Sequence, residues 1–275
     1  MDRGWAINFV ALFLFAGQPP SIPAPQVDDK PTALVIFDAA LIHFEKNRVA
    51  LRKWQYHQTL TTHQFDSSGR IVAKGTWHSI VRPGDPGALE YTGKSVDGKI
   101  SFFKAGTEEQ ARGKASETAE PPTKAKSEMN QAESAVEAVR KYNLRDRYLW
   151  KRVPDESIHG EAAYVIIFQP KPGQNPKSRE ERFFSLLAGR LWISQEDFTV
   201  LKAQASLQAP CQLFWIIARV TTFQLNYDSG PMQAGNRLLR LSRANATTVV
   251  TFPFYSVRQK HWQTVDKYEP RAPRR

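Results

Sequence analysis

"KWQYHQTLTTHQFDSSGRIVAKGTWHSIV", Lys53 to Val81, is the stretch on which the fold turns. Its first half alternates, with Trp54, Tyr56, Gln58 and Leu60 on one side of an extended chain and His57, Thr59 and Thr61 on the other. A period of two is the signature of a β-strand with unlike faces. Asp66-Ser67-Ser68-Gly69-Arg70 then supplies turn chemistry, and Ile71, Ala73, Trp77 and Val81 return on one face. This stretch predicts a hairpin of an antiparallel sheet.

The same pattern extends in both directions. Strands are predicted at Ala88–Val96 and Gly98–Phe103, joined at Asp97–Gly98, and again at Arg147–Val153 and Glu161–Lys171 around a turn at Pro154–Gly160. A polar loop, Pro172–Glu181, precedes Phe183–Ser194, which is read as strand throughout. Further strands are expected at Phe198–Leu207, Leu213–Asp228, Asn236–Ala244, Thr247–Gln259 and Trp262–Tyr268, with Phe223, Leu225 and Tyr227 alternating against Gln224 and Asn226. Glu196 and Asp197 fall between two apolar runs and read as a polar turn, not a catalytic pair.

Two segments carry a helical period. Leu34, Phe37, Leu41, Phe44 and Leu51 recur at helix-like spacing behind a start signal at Asp28, Asp29 and Pro31. Met129, Ala132, Val136 and Val139 form a second stripe, which Ser127 can cap. Roughly eleven strands with two helices exclude doubly wound and barrel folds that need a helix after each strand. The expectation is a mainly β chain with some α, in which a strongly curved antiparallel sheet is capped by helices.

The 275 residues carry 38 Lys and Arg against 27 Asp and Glu, a formal charge of +11, scattered along the chain. Such a balance suits anionic surfaces or plain solubility, and no Gly-rich phosphate loop is present. The opening run has Arg3, an apolar stretch Trp5–Gly17 and a Pro-rich segment, which matches a secretory signal over residues 1–26. Export to a periplasm or out of the cell is expected, with an uncleaved N-terminal anchor as the alternative. The chain then divides into one domain over residues 32–269, interrupted by a flexible insertion at about 104–126, and a basic tail over 270–275.

One cysteine, Cys211, excludes an intramolecular disulfide and a multi-cysteine metal site. The six histidines show no metal-ligand spacing on a helix, although the hairpin turn leaves room for His57 or His63 to meet His78. No G-x-S-x-G nucleophile elbow occurs. No catalytic residue, metal or cofactor is assigned, and nucleic acid is not expected as a partner.

Gly75-x-Trp77, then Arg82-Pro83-Gly84, then Asp97-Gly98-Lys99 opening an apolar strand, resembles the central hairpin region of periplasmic lipoprotein carriers of the LolA/LolB type. Gly189-x-Leu191-Trp192-Ile193 resembles the G-x-L-W-I-D strand of outer-membrane lipoprotein-sorting proteins, with Ser194 in place of the acid. The resemblance spans most of Leu34–Tyr268. It implies an unclosed β-barrel with a helical lid over an apolar cavity, binding the acyl chains of a lipid or lipoprotein, without catalysis or cofactor. A membrane-bound donor or receiver protein would be the partner of a monomeric carrier.

On strand parity, the cavity wall is expected to comprise Trp54, Tyr56, Leu60, Trp77, Ile100, Phe102, Val165, Ile167, Phe223, Leu225 and Tyr227. The lid would comprise Met129, Ala132, Val136 and Val139. Two other readings stay open. One is an envelope sensor or scaffold module of the same fold that binds a protein. The other is a secreted hydrolase acting on an anionic polymer through scattered Asp, Glu and His.

Overall fold

The computed structural model describes residues 31–83, 89–100, 139–214, 218–233 and 236–271. The signal segment, Phe102, Met129, Ala132, Val136, the insertion at 104–126 and the last residues of the basic tail lie outside the described residues.

Helix α1 (Ala33–Ala50) starts at Thr32, whose side chain accepts from the Val35 amide. It passes through a single 3₁₀ turn, Leu51–Lys53, into β1 (Trp54–Phe65). β2 (Ile71–Val81) returns as expected, and β3 (Leu89–Asp97) follows it. Helix α2 (Leu144–Arg147) leads to β4 (Tyr148–Ile158) and β5 (Glu161–Pro170). Then come helix α3 (Arg179–Phe184), β6 (Leu187–Ser194), β7 (Val200–Leu207) and β8 (Cys211–Phe214). Three long strands close the chain: β9 (Ala218–Gln233), β10 (Asn236–Thr251) and β11 (Ser256–Pro270).

All pairs are antiparallel, in the order β3-β2-β1-β11-β10-β9-β7-β6-β5-β4, with β8 paired to β9 off this path. β3 and β4 end the order without pairing to each other, so the sheet is unclosed. Residues directly opposite across neighbouring strands share a face. One such row therefore crosses ten strands: Lys94, Trp77, Leu60, Gln263, Ala244, Tyr227, Ala203, Leu191, Ile166 and Arg152. We call its face the inner face.

The main core lies against one part of the sheet. Ala33, Ile36, Phe37 and Ala40 of α1 share one buried cluster with residues of β4, β5, β6, β7, β9 and β10. The sheet is curved and unclosed, a half-barrel.

The turn read at Pro154–Gly160 is strand from Pro154 to Ile158, the run Leu213–Asp228 is divided between the antiparallel strands β8 and β9, and three more readings need correction. The segment Phe183–Phe184 is helix, not strand. Ser178 caps α3 by accepting from the Glu181 amide at 3.1 Å, while the Glu181 carboxylate accepts from the Lys177 amide at 2.8 Å. That S-x-x-E pattern is close to a capping box, and it was visible in the sequence. Second, Asn236–Ala244 and Thr247–Gln259 are divided elsewhere: Ala244–Thr247 continues β10, and the turn falls at Phe252–Tyr255. Third, the buried stripe of α1 is Ala33, Ile36, Phe37, Ala40, His43 and Asn47, so two polar residues face inward while Leu34, Leu41 and Phe44 sit at its margins.

Candidate functional site

The inner face has two unlike halves. Across β4 to β10 it is apolar, and α1 and α3 lie on it. Phe37 stacks on Trp150 at 4.1 Å between ring centroids, and Phe183 meets Phe223 edge-on at 5.2 Å. Ile166, Phe168, Leu191, Phe223, Leu225 and Tyr227 complete this side. Val139, the described residue of the second helical stripe, is half-buried against the same cluster.

The cluster holds no residue of β1, β2 or β11. There the inner face alternates apolar side chains with a bed of neutral polar ones. Thr62, Ser79, Gln259, His261 and Gln263 are all buried, beside Ala73, Trp77 and Val81. Thr62 Oγ1 and His261 Nδ1 lie 2.9 Å apart, and Gln259 Nε2 donates to Gln64 Oε1 at 3.2 Å. Burial lowers the His261 pKa to about 4, so its imidazole is neutral at ordinary pH.

The two glycine motifs are explained here. A Cβ on Gly75 would collide with the Trp77 indole and stand 2.9 Å from Ile100 Cδ1. Trp77 and Ile100 thus lie over Gly75 on the inner face. A Cβ on Gly189 would meet the Gln204 carbonyl oxygen and the Phe168 ring, so this glycine lets Phe168 lie flat across β6. Trp192, by contrast, faces outward. It joins Ala163, Val165 and Leu201 in a separate cluster, with Lys202 and Arg190 over its ring and its Nε1 donating to Glu156 at 2.7 Å.

Of the expected wall, Leu60, Trp77, Phe223, Leu225 and Tyr227 stand on the inner face, and Ile100 leans onto it. Tyr56 has the same parity and is fully buried, in a small cluster with Val81 and Val265. Trp54 is half-buried at the first position of β1, opposite Pro270. Val165 and Ile167 are not brought together with these. Ile166 and Phe168 take the inner face of β5, so the parity read for that strand is off by one residue.

Sequence reasoning missed a buried polar post at the end of the inner face. Arg240 is fully buried: its Nε donates to Ser229 Oγ at 3.0 Å, and one terminal nitrogen donates to Glu161 at 2.7 Å and to the Ser229 carbonyl at 3.1 Å. Its other terminal nitrogen has no hydrogen-bond partner. On the facing side of α1, His43 Nε2 and Thr199 Oγ1 lie 2.9 Å apart. Desolvation lowers the His43 pKa to about 4, with Lys46 and Arg240 pushing the same way against Asp197. One turn on, Asn47 is fully buried with neither side-chain polar atom bonded. No hydrophobic pattern marks such groups.

Glu196 and Asp197 occupy the β6–β7 turn, as read, where Asp197 accepts from the Thr199 amide at 2.9 Å. His57 and His63 lie opposite Ile80 and Lys74, and His78 lies opposite Thr59, whose hydroxyl stands 3.1 Å from its Nδ1. None of these histidines stands directly opposite another, and His57 and His78 are diagonal neighbours on one face. Among the described residues, no group of three or more His, Cys, Asp or Glu side chains is placed to hold a metal ion. No described helix is long and apolar enough to cross a membrane, which leaves strands aside.

No family model and no curated protein matches the chain. Solved structures do. A LolA superfamily protein from Nitrosomonas europaea aligns at 10% identity over 89% of this chain and 96% of its own, with a TM-score of 0.30. A DUF1329 family protein from Desulfovibrio piger aligns at 10% identity over 90% and 96%, with a TM-score of 0.33. An outer membrane lipoprotein-sorting protein domain from Vibrio parahaemolyticus aligns at 9% identity over 88% and 94%, also at 0.33. The chain is similar to each of them at low identity.

Proposed function

We propose that this chain is an exported, non-catalytic carrier that shelters an acyl-bearing ligand, a lipid or the lipid of a lipoprotein. The supporting observation is the division of the inner face: α1 and α3 pack on β4 to β10, and their core stops short of β11, β1 and β2. On those strands half-buried Leu60 and Ile100 lie beside buried Trp77, Thr62, Gln259, His261 and Gln263, so a ligand entering here would displace what covers an apolar surface set with neutral polar groups. This pairing suits an amphiphile with ester or amide groups at the head of its chains better than a bare hydrocarbon. Burying each methylene gains roughly 0.8 kcal/mol, so even part of a chain supports useful affinity.

The test is native mass spectrometry of protein purified from its own envelope, with fluorescent fatty-acid binding to delipidated protein. A bound lipid, and a fatty acid whose binding weakens by at least about fivefold in W77A, is the expected result. Ligand-free protein that ignores the probe defeats the reading.

A second reading, a module that binds a protein partner, is favoured by the outer side of α1. Val35, Ile42 and Val49 stand there at seven-residue spacing, each more than half exposed. Such a stripe is the seam a partner helix would use. A stoichiometric envelope protein captured by wild type and lost in I42E, with no bound lipid, would favour it.

A further inference from the structure

The turn between β10 and β11 presents an aromatic tip that the inner face does not use. Phe252 and Tyr255 stack at 4.5 Å with an interplanar angle of 11°, and the Phe252 amide donates to the Tyr255 carbonyl at 2.8 Å. Below them Ser256 Oγ donates to Thr251 Oγ1 at 3.2 Å, and the Thr221 hydroxyl stands 3.3 Å from the same atom. The turn is thus braced by a ring stack, a backbone bond and a hydroxyl chain. Between the stacked rings in sequence, Phe254 is 97% exposed, and Tyr255 of the stack is itself 58% exposed. A lone exposed phenylalanine is unremarkable, but a braced one beside further apolar surface is not.

The β1–β2 hairpin ends on the same side of the sheet, because Phe65 pairs with Arg258 and with Ile71, and Arg258 pairs with Val249. It adds Ile71 and Val72, each about half exposed. The charges around these tips are mostly basic, the two acids Asp66 and Asp97 being paired with Arg70 and Lys74. Arg70, Arg219, Arg258 and Lys260 are exposed, and Lys260 lies over the Phe65 ring. From Ala246 to Val265 and from Phe198 to Tyr227 the chain has no acidic residue. The one acid of the β1–β2 turn, Asp66, is held by Ser68 and Arg70.

We propose that this end of the sheet docks on an anionic lipid bilayer, with Phe254 and Tyr255 entering the headgroup region while the four basic residues face the lipid phosphates. Aromatic rings favour the boundary between hydrocarbon and water, and each nearby cation adds up to about 1 kcal/mol at an anionic surface. The docking does not depend on what the inner face binds. A carrier or a sensor would be placed against a membrane by the same tip.

The test uses the full chain and vesicles of phosphatidylcholine with and without phosphatidylglycerol. Wild type is expected to bind the anionic vesicles at least about tenfold more tightly than F254S, with binding that falls as salt is raised. Phe254 touches no core, so F254S should keep the wild-type melting temperature and any fatty-acid binding, which separates this test from that of the inner face. Because apolar residues near the N-terminus can also meet lipid, F254C labelled with an environment-sensitive dye reports the tip itself. The chain's native cysteine, Cys211, is buried and its thiol pKa is raised by burial, which directs the label to position 254. A blue shift on anionic vesicles is expected. Equal binding by F254S, or a dye unchanged on vesicle-bound protein, overturns the proposal. So does a blue shift produced by an envelope protein in the absence of lipid and not by vesicles.

Discussion

The Trp77 indole occupies the space that a side chain on Gly75 would need, two residues earlier on the same face of β2. Gly75-x-Trp77 is therefore a packing unit of the inner face. Replacing Gly75 with Ala should push the indole off its seat and cost about 1–3 kcal/mol in urea unfolding, despite the better strand propensity of Ala. If ligand binding uses this seat, G75A should weaken it together with stability. A variant as stable as wild type would mean that Trp77 moves aside freely.

His43 and His261 make stability depend on pH. Both have pKa values lowered to about 4 in the folded protein, from an ordinary 6.5. The unfolded chain takes up protons at these sites first, so their contribution is full above pH 6.5 and declines as pH falls towards 4. The expected loss is up to roughly 3 kcal/mol for each histidine over that window. Melting temperatures between pH 7 and pH 4 check this, and H261Q should flatten the slope relative to wild type. A decline confined to pH below 4 would contradict it.

Asn47 predicts an unusual gain. A buried amide with neither polar atom bonded carries a desolvation cost of about 1–3 kcal/mol. Replacing it with Leu, of similar volume, should raise the urea midpoint. A fall would mean that the amide has a partner in solution, such as a bound water.

Arg240 should behave in the opposite way. Its fully buried guanidinium holds Glu161 and Ser229. R240A leaves the Glu161 carboxylate without its arginine, and a loss of about 3–5 kcal/mol is expected in the same unfolding assay. R240M with E161Q together should lose markedly less than R240A alone, as a double-mutant cycle would reveal.

At the helix caps, S178A removes the hydroxyl that accepts from the Glu181 amide, and a loss near 1 kcal/mol is expected. The cap was written in the sequence as Ser178 and Glu181, yet Phe183, Phe184, Leu186 and Leu187 made the segment read as strand. Short apolar runs fit either period, and here tertiary packing of Phe183 on Phe223 favours the helix.

How much was legible follows from how many faces of a strand are covered. β1, β2 and β9 have one face turned to the interior and one to solvent or polar neighbours, so their alternation could be read directly, and Leu60, Trp77, Phe223, Leu225 and Tyr227 share the inner face. β5 is covered on both faces, by the main core on Ile166 and Phe168 and by the outer cluster on Ala163 and Val165. Its sequence, Glu161 to Pro170, is apolar throughout its middle and has no period to read. β11 sorts its side chains differently. Gln259, His261 and Gln263 point inward while Trp262 faces out against His63, a reversal of the usual sorting by hydrophobicity.

The amino-acid sequence by itself determined an antiparallel, mainly β chain with an amphipathic helix ahead of it, because periods of two and of three to four are local properties of neighbouring residues. Which way the glutamines of β11 point, which side of β5 faces α1, and that Arg240, His43 and Asn47 end up buried were decided only by tertiary structure. Those outcomes depend on what lies across the sheet, and partners up to about two hundred residues away, such as Thr62 and His261, leave no mark in the local pattern.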